Sequence, residues 1–152
     1  MEATAISHIA ICTRDMEKSL AFYRDILGMN VLFDGMTDPT EGGRLQNYQQ
    51  ARQSRRRVSL SFGAGQKPTL TITSHPGEDI SGAPLKLDQM GITHFSFTVP
   101  DTEALCAELL AKGVPLGGPQ ASFRNAQGQV RSFYVYDPDG IIVQFDSGLN
   151  EG

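Results

Sequence analysis

Two stretches of the chain alternate apolar and polar side chains in the same way. Ile6-Ser7-His8-Ile9-Ala10-Ile11 does so near the start, and Ile92-Thr93-His94-Phe95-Ser96-Phe97 does so past the middle. A period of two is that of a half-buried strand, here with large aliphatic or aromatic residues on one side and small polar residues or His interleaved. The likeness continues downstream, where Asp15-Met16-Glu17 matches Asp101-Thr102-Glu103. Each Asp stands where a short carboxylate accepts the open amides of a helix's first turn. The first helix is predicted over residues 16–27, with Leu20, Tyr23 and Leu27 on one stripe, Phe22 and Ile26 beside it, and Gly28 as a stop. In the second, Leu105, Leu109 and Leu110 form the stripe and Gly113 ends the helix before Val114-Pro115.

Each helix is followed by strand-like segments: 30–34, 58–62 and 69–73 in one half, and 121–124, 130–136 and 141–146 in the other. Turn residues separate them, Gly63-Ala64-Gly65 in the first half and Asp137-Pro138-Asp139-Gly140 in the second. Each half therefore reads βαβββ. The fold class is α+β, two tandem βαβββ repeats packed as a curled mixed-sheet cup, because neither sheet can bury its apolar face alone. A single domain over residues 1–152 is expected: repeat one about 4–75, a Pro- and Gly-rich linker about 76–90, and repeat two about 91–148. One insertion breaks the symmetry. Residues 35–57 are polar, carry Gly42-Gly43, and read as a short helix over 45–55. A loop this long inside a domain is usually functional or disordered.

The repeat gives the two histidines chemical meaning. Alternation puts His8 and His94 on the more polar faces of equivalent strands, and pseudo-two-fold packing of the copies would bring them together. Two converging imidazoles are half of a divalent metal site. On the last strand Gln144 lies between Val143 and Phe145, so it turns to the polar side with Ile142 and Asp146. Thr71, between Leu70 and Ile72, holds the matching place in the first repeat, and Thr is a poor ligand for a divalent metal. Three protein ligands with open positions is the layout of a catalytic site. On the same alternation Tyr134 faces the cup while Phe133 and Val135 are core.

Composition narrows the partners. A net charge of −4 argues against nucleic acid, and no apolar run reaches the roughly 20 residues that span a bilayer. The start, Met1-Glu2-Ala3-Thr4-Ala5, lacks the basic and apolar features of a secretion signal, so a cytoplasmic protein is expected. Cys12 and Cys106 then read as small buried hydrophobes. His75, in Ser74-His75-Pro76-Gly77, reads as an exposed loop histidine, its alternative role a substrate contact at the cup's mouth. The run Arg52-Gln53-Ser54-Arg55-Arg56-Arg57 reads as a solvated helix face or as an anion clamp for a carboxylated or phosphorylated substrate. Arg124 and Arg131 carry the same two readings.

With Ile-Ser-His near the start, Phe22-Tyr23-Arg24-Asp25-Ile26-Leu27-Gly28 in the first helix and Asp-Pro-Asp-Gly four residues before Gln144, the chain resembles the vicinal-oxygen-chelate superfamily of glyoxalase I, bleomycin-resistance proteins and extradiol dioxygenases. The resemblance covers residues 6–146. By position it implies His8, His94 and Gln144 as ligands of one divalent ion (Fe, Mn, Zn or Ni), with Gln in place of the family's usual Glu, and Asp146 compensating charge nearby. It implies Tyr134 as a catalytic, substrate-contacting tyrosine; Thr71, Arg131 and Asp146 are expected beside it as further substrate-binding residues. Thr71 stands where glyoxalase-type members carry a fourth ligand, which argues against glyoxalase I itself. The extradiol pattern fits in part, with Asn125-Ala126-Gln127 where it wants a histidine. The implied function is a metal-dependent enzyme, dioxygenase-like or lyase-like, that chelates vicinal oxygens of a small organic substrate. The alternative, favoured by Gln144, is a metal-free small-molecule sequestering protein of the bleomycin-resistance type. A homodimer is the implied assembly, since family members commonly pair and curled sheets leave edges to cover.

Overall fold

Asp15 and Asp101 open the two helices in the same way. Both have extended backbone, φ −138° and −136°, and their carboxylates accept from the amides of Lys18 at 3.2 Å and Ala104 at 2.9 Å. Gly28 and Gly113 close them with φ of 78° and 76°, the left-handed region that a side chain resists. In this computed structural model, which describes residues 1–148, the chain divides into two units, Met1–Ser81 and a second that begins at Gly82.

The first unit is βαβββ: β1 (His8–Cys12), α1 (Met16–Leu20), β2 (Asn30–Met36), β3 (Arg56–Ser61) and β4 (Thr69–Ser74). Its sheet runs β1-β4-β3-β2, with β1 parallel to β4 and the other pairs antiparallel. Past Leu20 the helix widens into a π-helical segment, Ala21–Ile26, in which the Leu27 amide reaches the Phe22 carbonyl. Both Phe22 and Tyr23 are buried there, edge to face at 4.8 Å. Val58, Leu60, Leu70 and Ile72 form the apolar side of the sheet, all buried.

The second unit holds β5 (His94–Thr98), α2 (Thr102–Ala111), β6 (Ser132–Tyr136) and β7 (Ile142–Asp146), in the order β5-β7-β6. Phe133 and Phe145 meet at 5.2 Å and Phe97 and Phe145 at 5.9 Å, an aromatic layer on one side of the sheet. The strand expected at 121–124 is instead a 3-10 turn, Gln120–Phe123. Two isolated bridges stand in its stead, Leu116–Val135 against β6 and Arg124–Val130 just before β6. Pro115 and Pro119 cannot donate to a ladder. The Gly117 amide still donates to the Tyr134 carbonyl at 2.7 Å, so close that a Cβ on Gly117 would lie 2.7 Å from that of Tyr134.

Several expectations from periodicity are corrected. The strands begin at the histidines, and Ile6 and Ile92, expected on the apolar side, are 65% and 86% exposed. β1 pairs with β4 from His8 opposite Thr69, and the Ser7 carbonyl, which accepts from the Thr69 amide at 3.1 Å, is the last backbone contact before the chain leaves the sheet. The phase set by Asp101 turns Thr102, Cys106 and Leu109 inward and leaves Leu110 exposed. Cys106 is buried as expected, whereas Cys12 lies exposed on β1. The helix expected over 45–55 shrinks to one 3-10 turn, Leu45–Asn47. No helix among the described residues is long and apolar enough to cross a membrane.

Candidate functional site

In the second unit, pairing and alternation assemble a polar row. Ser96 lies opposite Gln144 and Thr98 opposite Asp146 on the β5–β7 side, and Tyr134 lies opposite Gln144 on the β6–β7 side. Directly paired residues share a face, so His94, Ser96, Gln144, Tyr134 and Asp146 all stand on the side opposite Phe133, Val143 and Phe145. Burial follows the same alternation: Phe133, Val135, Val143 and Phe145 are closed to solvent, and Tyr134 and Gln144 are partly open. The His94 and Tyr134 rings meet edge to face at 5.7 Å, and Phe123 lies 6.5 Å from Tyr134. Ser96 donates to the Asp146 carboxylate at 2.6 Å, and the Gly148 amide donates to it at 2.7 Å. The Gln144 amide has no hydrogen-bond partner among the described residues.

The first unit presents a matching row on its own sheet. His8 lies opposite Thr69 and Ala10 opposite Thr71, while Thr71 is flanked on its other side by Ser59. Thr71 is buried and His8 exposed.

A contact that sequence reasoning missed is repeated in the two units. Ser7 Oγ lies 2.8 Å from Nδ1 of His8, and Thr93 Oγ1 lies 2.9 Å from Nδ1 of His94. In each ring Nε2 has no partner among the described residues. A hydroxyl on one nitrogen fixes the ring and leaves the other nitrogen open for a ligand. The signal lies in the sequence, where a hydroxyl residue, Ser7 or Thr93, precedes each histidine.

Other candidates fall elsewhere. His75 is buried, not exposed: its Nδ1 is 2.6 Å from the Ser54 carbonyl and its ring stands edge-on to Tyr48 at 5.3 Å. The arginine run is no helix face. Arg52 donates to the Asp79 carbonyl at 2.8 Å, Arg55 is buried, and Arg56 pairs with Glu17 at 2.7 Å and Asp34 at 2.8 Å. Hydrogen bonding to Asp34 and Glu17 raises the Arg56 guanidinium above its usual range, and the same bond holds the Asp34 carboxyl below its own. Arg124 is engaged by Glu103 at 2.6 Å. Arg131 is exposed just before β6, in step with Phe133 rather than Tyr134, so it is not brought into the polar row. Among the described residues no three His, Cys, Asp or Glu side chains converge.

The family model of the Glyoxalase/Bleomycin resistance protein/Dioxygenase superfamily matches residues 5–145. A lactoylglutathione lyase of Schizosaccharomyces pombe is 24% identical over 169 aligned positions, which cover 97% of this chain and 48% of that protein. The chain thus spans about half the length of the curated relative it matches. Among solved structures, a glyoxalase family protein from Bacillus cereus is similar with a TM-score of 0.72 at 15% identity, over 95% of this chain and 94% of that one. Leishmania major glyoxalase I is similar at 0.66 and 23% identity, over 95% and 86% of the two chains. The fosfomycin resistance protein FosX of Listeria monocytogenes is similar at 0.61 and 19% identity, over 99% and 96%. At such identities the structural likeness speaks for the fold alone. With the family model matched along nearly its whole length, the chain belongs to the Glyoxalase/Bleomycin resistance protein/Dioxygenase superfamily.

Proposed function

We propose that this chain is a metal-dependent enzyme of its superfamily, acting on a small oxygen-rich organic molecule, with His8, His94 and Gln144 as ligands of one divalent ion. The observation that carries this reading is the repeated hydroxyl–Nδ1 contact, Ser7 on His8 and Thr93 on His94, which leaves both Nε2 atoms open. The donor set fits a divalent cation of intermediate softness: two imidazole nitrogens and an amide oxygen without a competing hydrogen bond. Because that set is neutral, Asp146, held by Ser96 and the Gly148 amide, supplies negative charge on the same face as Gln144. The ion would contribute Lewis-acid polarisation of two neighbouring substrate oxygens. Tyr134, edge-on to His94 and opposite Gln144, contacts and orients the substrate. Thr71 lines the first unit's polar face without being a ligand.

A lyase-like or dioxygenase-like reaction fits this residue set better than that of glyoxalase I, because Thr71 cannot serve as a fourth ligand or a base. A homodimer is part of the reading, since strand β2 leaves Val31, Leu32, Phe33 and Met36 exposed. Metal analysis after loading tests the proposal. The wild type is expected to retain one equivalent that the His8→Ala/His94→Ala double variant does not; equal retention would defeat it.

One observation favours a second reading, a metal-free binder. His94, Tyr134 and Phe123 form an aromatic cluster suited to stacking, beside the neutral Gln144. A panel of bulky ligands scored by thermal shift, with and without divalent metal, separates the two, since only the binder is stabilised without metal.

A further inference from the structure

The inserted segment is tied to the end of β4. The Glu78 carboxylate accepts from the Gln53 and Ser54 amides and from the Ser54 hydroxyl, each at 3.1 Å, and His75 Nδ1 is 2.6 Å from the Ser54 carbonyl. Arg55, next along the chain, is only 9% exposed. Its guanidinium donates to Thr37 Oγ1 at 2.6 Å and interacts with the Tyr48 hydroxyl, and among the described residues no carboxylate pairs with it. Burial is the main influence lowering its pKa, and the like charges of Arg44 and Arg57 add to it. A buried cation without a counter-charge is an arrangement proteins rarely keep.

Among the described residues, nearby acids are engaged by other groups. Asp34 and Glu17 are engaged by Arg56, Glu78 by backbone amides, and Asp38 by the amide and hydroxyl of Thr40. Beside Arg55 stands the buried Tyr48 hydroxyl, whose oxygen faces the guanidinium and whose own proton meets no acceptor among the described residues. Arg57 also has no carboxylate among the described residues; its guanidinium carbon lies 4.3 Å over the Phe33 ring.

We propose that Arg55, Arg57 and the Tyr48 hydroxyl form a binding site for an oxyanion, the carboxylate or phosphate group of a small-molecule ligand. Guanidinium forks match the oxygens of both groups, and the anion would neutralise the buried charge and accept the Tyr48 hydroxyl proton. Arg57 stands on the same sheet face as His8, because Arg57 pairs with Thr73 and Thr73 with Cys12, two positions of that face beyond His8. Strand spacings put the two on the order of 15 Å apart. The site shares no residue with the proposed metal ligands and stands independently of that reading.

Inorganic phosphate and acetate are the probes, titrated separately into the full chain after metal removal on a chelating resin, at constant ionic strength against chloride. Calorimetry and thermal shift should show saturable binding of one or both. Arg57→Gln and Arg55→Lys should weaken it about tenfold or more, Tyr48→Phe should weaken it measurably, and Arg52→Gln should leave it unchanged. Phosphate alone would mark a phosphorylated ligand and acetate alone a carboxylated one; either supports the site. No saturable binding by the wild type, or an equal loss in Arg52→Gln, overturns it. Should Arg55→Lys fail to fold, Arg57→Gln and Tyr48→Phe decide. Metal plays no part in this titration, so its failure would leave the test of His8 and His94 intact.

Discussion

Ser7 Oγ stands 2.8 Å from Nδ1 of His8, and the same contact recurs between Thr93 and His94 at 2.9 Å. A hydroxyl one residue before a strand histidine holds the ring by one nitrogen and presents the other. If that is its role, Ser7→Ala and Thr93→Ala should each weaken divalent-metal affinity about 10- to 100-fold, as loss of a partner to a ligand histidine typically does. Competition titration with a chromophoric chelator measures this. Unchanged affinity in both variants would mean the hydroxyls serve only local structure.

In the proposed ligand set, Gln144 would contribute a neutral oxygen in place of a carboxylate. Gln144→Glu is therefore expected to tighten metal binding by at least about tenfold, since it adds a full charge beside the cation. The same titration reads it, and weaker binding in the variant would remove Gln144 from the ligand set.

The Asp34–Arg56 pair makes an acid-side prediction. Arg56 holds the Asp34 carboxyl below the usual carboxylate range, so the unfolded state takes up this proton first as pH falls. The pair's stabilisation is complete above the ordinary carboxylate range and is lost progressively as pH drops through it and below. Asp34→Asn should flatten the acid side of the Tm-versus-pH curve and leave its neutral-to-alkaline shape unchanged. The effect is small, because the side chains are 39% and 25% exposed and solvent screens them.

Gly117 supports Tyr134 by close approach. In Gly117→Ala the new Cβ would meet the Tyr134 Cβ at 2.7 Å and its carbonyl oxygen at 3.3 Å. Strand β6 must shift, at about 1–3 kcal/mol, the usual range for overpacking. Chemical denaturation measures the loss, and a matching fall in ligand binding would show that Tyr134 moved with it.

The duplicated strand, cap, helix and glycine stop were legible in the sequence because each rests on local chemistry. Asp15 and Asp101 cap because a short carboxylate reaches amides three residues on, and Gly28 and Gly113 stop helices because they accept positive φ. The polar face carrying His94, Gln144 and Tyr134 was legible for a similar reason, the strict period of two in a strand. Where periodicity failed, a local turn or a long-range partner decided. Residues 121–124 alternate like a strand, yet after Pro119 their amides bond locally, Ser122 to the Pro119 carbonyl and Arg124 to the Ala121 carbonyl, and close a 3-10 turn. His75 sits in a turn sequence and is buried because the distant Ser54 carbonyl and Tyr48 ring cover it.

The arginine run shows the division most plainly. Along the chain, Arg55, Arg56 and Arg57 are three equal charges. In the fold, strand alternation sends Arg56 to the helix side, where Glu17 and Asp34 neutralise it, and leaves Arg55 and Arg57 without an acid among the described residues. Local sequence carries the period that separates them. Which charges find partners depends on residues tens of positions away, and only tertiary pairing could decide that.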